Sequence, residues 1–122
     1  MSVATPFSVL LCRNLLFVSK VMQAGSACGH RVVSGTPKTL PASLADENCA
    51  MVVVDLSDQW GDLAELRRSA LELRAPELPK VRWIAFGPHV DVAALEGAQA
   101  AGFDDVMPRS RFNATLPDLF TP

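Results

Sequence analysis

Residues 50–56, AMVVVDL, form the stretch that decides the fold class. Met51 begins an uninterrupted apolar run that includes three β-branched valines, a pattern typical of a strand buried on both faces. Strands of that kind occur almost entirely in parallel sheets that helices cover from both sides. The run ends at Asp55, so the strand brings a carboxylate to the rim of the predicted sheet.

Strand-length segments and helical patterns alternate on either side of this run. Further strands are predicted at residues 8–12, 30–35, 81–86 and 104–107. Helices are predicted at residues 14–28, 61–75 and 90–102, with a short or irregular helix near Pro41 and a last helical piece within residues 110–120. The alternation predicts an α/β fold: a single flavodoxin-like domain over residues 1–122, with its core at about 8–120 and a five-stranded parallel sheet in the order 2-1-3-4-5.

The last helical segment carries a proline, Pro117, in its middle. A proline inside a helix removes a hydrogen bond and clashes with the preceding turn, so we expect a shortened helix or one that starts afresh near Pro117. Its apolar side chains would then be partly uncovered, and uncovered apolar patches on small domains mark interaction sites. These side chains are Phe112, Leu116, Leu119 and Phe120. Trp60, in the loop after Asp55, is either a further exposed anchor or a side chain folded back over the sheet edge.

Composition and motifs argue against several classes of function. The net charge of −2 does not suit a nucleic-acid binder, which would present a basic surface. None of the common nucleophile, metal or nucleotide motifs occurs, so no catalytic residue is assigned and we do not expect an enzyme. The longest uncharged apolar run is too short to span a bilayer, and three scattered cysteines suit a reducing compartment. We therefore expect a cytoplasmic protein with no nucleic-acid or membrane partner.

Chemistry-bearing residues follow several of the predicted strands. Because the carboxyl ends of parallel strands meet at one edge of the sheet, we expect these residues to converge there. They are Cys12, Arg13, Asp55, Gly87, His89 and Arg109. Asp58, Asp104 and Asp105 are expected to be solvated acids of loops and strand ends.

The residues resemble bacterial two-component receiver domains of the CheY-like family. VVVDLSD, followed by a helix, resembles the segment that carries the phosphoacceptor aspartate. AQAAGFDDVMPRS resembles the family pattern A-x-x-x-G-A-x-D-[YF]-[LI]-x-K-P, and SVLLCRNLLFVSKVMQAGSACGHRV resembles the first strand and helix. The resemblance covers about Val9 to Phe120.

The resemblance implies a site in which only one functional position keeps the family residue. In the family, an acidic pair after the first strand and the aspartate of the third strand hold Mg²⁺. A serine or threonine after the fourth strand and a lysine after the fifth strand contact the phosphoryl group. By this resemblance Asp55 matches the phosphoacceptor, the acidic pair falls on Cys12 and Arg13, the hydroxyl residue falls on Gly87, and the lysine falls on Arg109.

These replacements favour a site that has lost its metal. Mg²⁺ is held by carboxylates and other oxygens, and a single carboxylate beside two guanidinium groups attracts it poorly. Phosphoryl transfer to Asp55 would need that metal to offset the charge that builds up on the oxygens. Our hypothesis is that Asp55 is a fixed ion-pair partner of Arg13 or Arg109, with no metal and no cofactor. A reactive Cys12, whose pKa the neighbouring Arg13 would lower, stays open as an alternative.

These features predict a non-catalytic pseudo-receiver that acts as a protein-interaction module in bacterial signal transduction. It would bind a partner protein or form a homodimer through the face that the resembled family uses, formed by the fourth helix, the fifth strand and the fifth helix. One alternative is a response regulator phosphorylated on Asp55 in a phosphorelay. A second alternative is a small-anion binder at the carboxyl edge of the sheet, with Arg13 and Arg109 as its cations.

Overall fold

The structure is a computed structural model that describes residues 5–121. Within that range the strands are β1 (Phe7–Leu11), β2 (Arg31–Ser34), β3 (Cys49–Asp55), β4 (Arg82–Gly87) and β5 (Asp105–Pro108). The helices are α1 (Leu15–Ala27), α2 (Leu40–Ala45), α3 (Leu63–Leu71), α4 (Val92–Ala100) and α5 (Arg109–Leu119). Strands and helices alternate throughout, as the sequence predicts.

The five strands form one parallel sheet in the order β2-β1-β3-β4-β5, which confirms the predicted topology. The stretch that predicted the fold lies at the centre of the sheet, where β3 pairs with β1 on one side and β4 on the other. Its residues 51–55 are all buried. A strand with hydrogen-bonded neighbours on both edges and helices on both faces has no solvated side, which explains the continuous apolar run.

Successive residues of β3 point into two separate cores. Val52 and Val54 belong to the core that also contains Leu40, Leu66 and Trp83, on the side of α2, α3 and α4. Met51 and Val53 belong to the second core, on the side of α1 and α5. Because side chains alternate along a strand, one apolar run supplies both layers.

Helix α5 does not start afresh near Pro117, because it continues through that residue and ends two residues later. An interior proline costs about 3 kcal/mol. Phe112 and Leu116 bury their side chains on the inner face of α5, and full burial of each contributes about 1.5–3 kcal/mol. Packing against the sheet therefore outweighs the local penalty, and the prediction of a helix restarting at Pro117 is wrong.

The apolar side chains of α5 are also not the uncovered patch that the sequence suggested. Phe112 is fully buried and stacks on Phe86 with ring centroids 4.2 Å apart. Leu116 and Phe120 are buried in the same core, and Leu119 is half-buried against it. The helix covers its own side of the sheet, so these four residues stabilise the fold and offer little surface to a partner.

Among residues 5–121, no helix combines the length and the apolar character that crossing a membrane requires.

Candidate functional site

The carboxyl ends of β1, β3, β4 and β5 meet at one edge of the sheet. Cys12 follows β1, Asp55 ends β3, Gly87 ends β4, and Arg109 follows β5 as the first residue of α5. The parallel register brings these ends together, with Leu11 opposite Val54 and Asp55 opposite Phe86. The structure thus places the predicted site residues at one edge. Their side chains divide between a first group around Asp55 and a second group around Trp60.

Asp55 lies at the centre of the first group and is almost fully enclosed, with 1% of its surface exposed. Its Oδ1 accepts a hydrogen bond from the backbone N–H of Ser57 at 2.9 Å and lies 3.4 Å from Nη2 of Arg109. Its Oδ2 accepts a hydrogen bond from the thiol of Cys12 at 3.2 Å. Both carboxylate oxygens therefore have donors from within the chain.

Arg109 makes the predicted contact with Asp55, but its closest partner is a different residue. Its Nη2 lies 2.5 Å from the hydroxyl oxygen of Ser57, and its guanidinium carbon lies 5.8 Å from the ring centroid of Phe17. The side chain is 39% exposed, so it covers Asp55 from the solvent side. Ser57 was not predicted as a site residue, and its position two residues after Asp55 is the only sequence signal for it.

Cys12 occupies one of the positions where the resembled family has an acid, and its thiol remains protonated. Burial, together with the nearby Asp55, raises the pKa of Cys12 to about 11, although a hydrogen bond involving the backbone of Asn14 acts in the opposite direction. A protonated thiol donates to a carboxylate and is a weak nucleophile. The alternative of a Cys12 activated by Arg13 is therefore not supported by the structure.

Arg13 belongs to the second group and does not contact Asp55, contrary to one branch of our hypothesis. Its backbone N–H donates to Oδ2 of Asp58 at 2.9 Å. Its exposed guanidinium lies over the ring of Trp60, 4.8 Å from the ring centroid. The side chains of Arg13 and Arg109 thus have separate partners, which does not favour the anion clamp that the sequence left open.

Trp60 folds back over the sheet edge and is half-buried. Its indole N–H donates to the backbone carbonyl of Asp55 at 2.8 Å, and its ring packs against the core below. Of the two readings that the sequence left open for Trp60, the structure favours the internal one. The ring then fixes the loop that follows β3.

Gly87 and His89 show two further features of this edge. Gly87 is buried, and a Cβ atom at this position would lie 3.0 Å from Cβ of Leu56. A serine or threonine at position 87 would therefore need Leu56 to shift by a few tenths of an ångström. His89 lies exposed in the turn that follows β4.

A metal ion could find ligands only in the cluster formed by Cys12, Asp55 and Asp58, whose potential ligand atoms lie within 4.8 Å of one another in the described chain. Mg²⁺ takes oxygen ligands in near-octahedral geometry. The protonated thiol of Cys12 offers none, and Arg109 places a cation on the carboxylate of Asp55. A protonated thiol and a guanidinium beside Asp55 are unfavourable surroundings for Mg²⁺.

Asp58 differs from the solvated loop acid that we expected, since it is half-buried and bonded to the backbone of Arg13. Asp104 is exposed, as expected, and accepts a hydrogen bond from the backbone N–H of Trp83 at 2.8 Å, and Asp105 forms an ion pair with Arg82 at 2.6 Å. These acids are tied to the fold by contacts between segments distant in sequence. Local patterns carry no signal for such contacts.

Comparison with known proteins identifies the fold. No family model and no curated protein matches this sequence. The solved structure of a phosphorylated cyanobacterial phytochrome response regulator, RcpA, is similar at 13% identity and a TM-score of 0.70, over 95% of this chain and 91% of that one. The receiver domain of a sensor histidine kinase from Pseudomonas aeruginosa PAO1, with a magnesium ion in its active-site cleft, is similar at 16% identity and a TM-score of 0.68, over 96% and 98%.

A third similar structure is a CheY-like protein, tadZ, also from Pseudomonas aeruginosa PAO1, at 16% identity and a TM-score of 0.66, over 98% of this chain and 96% of that one. The likeness extends over nearly the whole of both chains in each case. The chain therefore has the fold of CheY-like receiver domains, as the sequence pattern predicts.

Proposed function

We propose that this protein is a receiver-like module of a two-component signalling system that acts by protein contact, without phosphorylation of Asp55. The observation that carries the proposal is the enclosure of Asp55. Its Oδ2 is bonded to the thiol of Cys12, and its Oδ1 lies between the Ser57 backbone N–H and Arg109. A phosphoryl donor would have to displace these contacts before it reached an oxygen.

The charges around Asp55 support the same proposal. The loose transition state of phosphoryl transfer carries negative charge on its oxygens, and enzymes of this chemistry stabilise it with metal ions. The acids that would hold such an ion are replaced here by a protonated thiol and by Arg13, whose side chain lies on Trp60. We infer that the protein binds no Mg²⁺ at this edge and that Asp55 has a structural role.

The contact surface that we propose lies at the start of α1. Leu15 and Leu16 are 80% and 86% exposed, on the same edge of the sheet as Asp55. Val90, in the turn after β4, is 76% exposed. Exposed large apolar side chains that form a patch are typical of a docking surface for another protein. The partner is a second protein or a second copy of this chain.

The face formed by α4, β5 and α5 remains a second proposal for the contact. The receiver domain of NtrC4 activated by beryllofluoride is a dimer in solution, and it is similar to this chain at 15% identity and a TM-score of 0.68. Phe112, Leu116 and Phe120 cannot form a contact on that face, because they are buried. Sedimentation equilibrium of wild type beside Leu16→Ser and Arg111→Glu, one exposed change on each surface, distinguishes the two surfaces for self-association.

The proposal is tested by exposing the protein to Mg²⁺ with acetyl phosphate, and separately to Mg²⁺ with beryllofluoride. We expect no phosphoryl adduct by intact-mass measurement and no change in amide NMR shifts near Asp55. The variant Cys12→Asp with Arg13→Asp and Arg109→Lys restores the acidic pair and the lysine of the family pattern, leaves Gly87 unchanged, and serves as the positive comparison. An adduct on wild type that Asp55→Asn abolishes would instead establish a response regulator phosphorylated on Asp55.

One observation favours that alternative. Asp55 ends β3 at the position of the family's phosphoacceptor, and Asp58 provides a second carboxylate nearby within the cluster. Under this alternative Asp58 would replace one of the missing acids. The variant Asp58→Asn should then abolish the adduct as well. If phosphorylation of Asp55 needed no Mg²⁺, Asp58→Asn would leave the adduct unchanged.

A further inference from the structure

An open cavity of about 650 Å³ lies at the edge of the sheet opposite to Asp55. Its wall is formed by the end of α3, the segment that leads into β4, and the start of β4. Apolar atoms contribute a large part of its lining, from Leu71, Leu78, Val81 and Trp83 among others. A concave, mostly apolar cavity of this size is typical of a small-molecule site.

The polar side chains around this cavity are mostly cationic. Four cations line it, and a single acid, Asp104, does so. Arg74 is engaged with the backbone carbonyls of Leu44, Asp46 and Pro79. Arg82 is paired with Asp105 at 2.6 Å. Among the described residues, the lining cations without such a partner are Arg67 and Lys80.

Arg67 is the residue that indicates a ligand. Its Nε is shielded from solvent and has no hydrogen-bond partner within residues 5–121. No carboxylate of the described chain forms an ion pair with it. A guanidinium that lines the cavity and has no ion-pair partner among the described residues is available to bind an anion there.

The guanidinium of Arg67 is also held in place before any ligand arrives. Its Cζ lies 5.7 Å from the ring centroid of Trp83. A Cβ atom on Gly102 would lie 3.7 Å from Nε, Cζ and Nη1 of Arg67 alike, so the flat face of the guanidinium packs against this glycine. Gly102 has a φ of 96°, which other residues rarely adopt. A preorganised guanidinium loses less entropy when it binds a planar anion.

We propose that this cavity binds a small organic anion: a carboxylate, sulfonate or phosphate group attached to an aromatic or aliphatic body. The anionic group would bind Arg67, with Lys80 as a second cation, and the body would lie on Leu71, Leu78 and Val81. The site is independent of Asp55 and of the proposed signalling role. It lies at the end of the sheet where β4 begins.

The test is a fluorescence titration of the full chain with anilinonaphthalene sulfonate, which joins an anionic group to an aromatic body. We expect saturable binding at one site, and an affinity for the uncharged analogue N-phenylnaphthylamine that is lower by about tenfold or more. Arg67→Met should weaken binding of the sulfonate by about tenfold and Lys80→Met by less, without changing the affinity for the uncharged analogue.

Arg68→Met is the matched control, because it removes the same charge from the next position of α3. Arg68 is paired with Glu65 and Glu72 on the exposed side of that helix, so its loss should leave the affinity unchanged. Thermal unfolding of each variant shows that the fold is intact, and the amide shift of Trp83 locates the bound probe. Wild-type affinity in folded Arg67→Met, equal binding of the uncharged analogue, or no saturable binding would each overturn the proposal.

Discussion

The thiol of Cys12 donates a hydrogen bond to the carboxylate of Asp55 across 3.2 Å, from the end of β1 to the end of β3. This contact joins the residue at an acid position of the resembled family to the residue at its phosphoacceptor position. A carboxylate in the place of Cys12 would repel Asp55 unless a cation lay between them. The thiol holds Asp55 without that cation.

Cys12 should make the protein less stable in alkaline solution. An unfolded thiol ionises near pH 9, whereas the pKa of Cys12 in the folded protein is about 11. Between these values the unfolded state releases a proton that the folded state keeps, so stability falls as the pH rises. The full loss is about 3 kcal/mol, and most of it is reached by pH 11.

Urea unfolding of wild type and Cys12→Ala at pH 8, 9.5 and 11 measures this effect. We expect the difference in unfolding free energy between the two proteins to shrink as the pH rises. Cys28→Ala, which changes an exposed cysteine, is the control and should give a constant difference. A constant difference for Cys12→Ala as well would show that the thiol is not protected from ionisation.

His30 should make the protein less stable in acidic solution. Burial lowers the pKa of His30 below its ordinary value of 6.5, and its Nε2 lies 2.6 Å from the hydroxyl of the buried Ser8. Below pH 6.5 the unfolded state takes up a proton that the folded state resists, so stability is lost as the pH falls through that value. Its ring also packs on Phe120 at 4.9 Å, which ties β2 to the end of α5.

Melting temperatures between pH 7.5 and 5 provide the measurement for His30. Wild type should lose stability over this range, and His30→Gln should lose distinctly less. His89→Gln, which changes the exposed histidine, should behave as wild type does. Equal acid sensitivity of all three proteins would contradict the assignment to His30.

Asp55 should contribute to stability in the absence of any phosphoryl donor or metal. Asp55→Asn keeps the size of the side chain but replaces one acceptor oxygen with an amide N–H₂ group. That group is a donor and cannot accept a hydrogen bond from Cys12 or Arg109. Breaking hydrogen bonds to a buried carboxylate costs about 1–3 kcal/mol, which chemical denaturation will show.

The control for Asp55 is Asp105→Asn, which breaks a partly exposed ion pair with Arg82. Such pairs contribute about 0–1 kcal/mol, so this variant should be the milder of the two. An Asp55→Asn protein as stable as wild type, or more stable, would fit an acid kept for phosphoryl transfer and would contradict a structural role.

Gly87 should resist replacement by a residue with a side chain. A Cβ atom there would lie 3.0 Å from Cβ of Leu56, and we expect Gly87→Ser to cost about 1–3 kcal/mol of unfolding free energy. Leu56→Gly in the same chain removes the opposing Cβ, so the two changes together should cost less than their sum.

Gly97→Ala is the matched control, since a Cβ atom at position 97 in α4 meets nothing within 4 Å. Alanine is favoured over glycine inside a helix by about 1 kcal/mol, so this variant should be stabilised. If Gly87→Ser folds with wild-type stability, the hydroxyl position of the resembled family is open in this protein.

The sequence predicts the helices, the strands and the sheet order because these depend on local residue patterns that recur along the chain. The run in β3 is apolar throughout because it is buried on both faces, and Asn14 caps α1 by accepting a hydrogen bond from the backbone N–H of Phe17. Helix α5 is the exception. A local rule about Pro117 failed there, because burial of Phe112 and Leu116 contributes more than the proline costs.

The sequence by itself determined which residues reach the functional edge of the sheet, since strand periodicity and parallel order place Cys12, Asp55 and Arg109 there. Only the tertiary structure decided which of them touch. The pairs Cys12–Asp55 and Asp55–Arg109 are 43 and 54 residues apart in the chain, and Arg13, next to Cys12, turns to Trp60 instead. Side-chain partners at such separations depend on rotamers, burial and loop paths set by the whole core, and no local pattern encodes them.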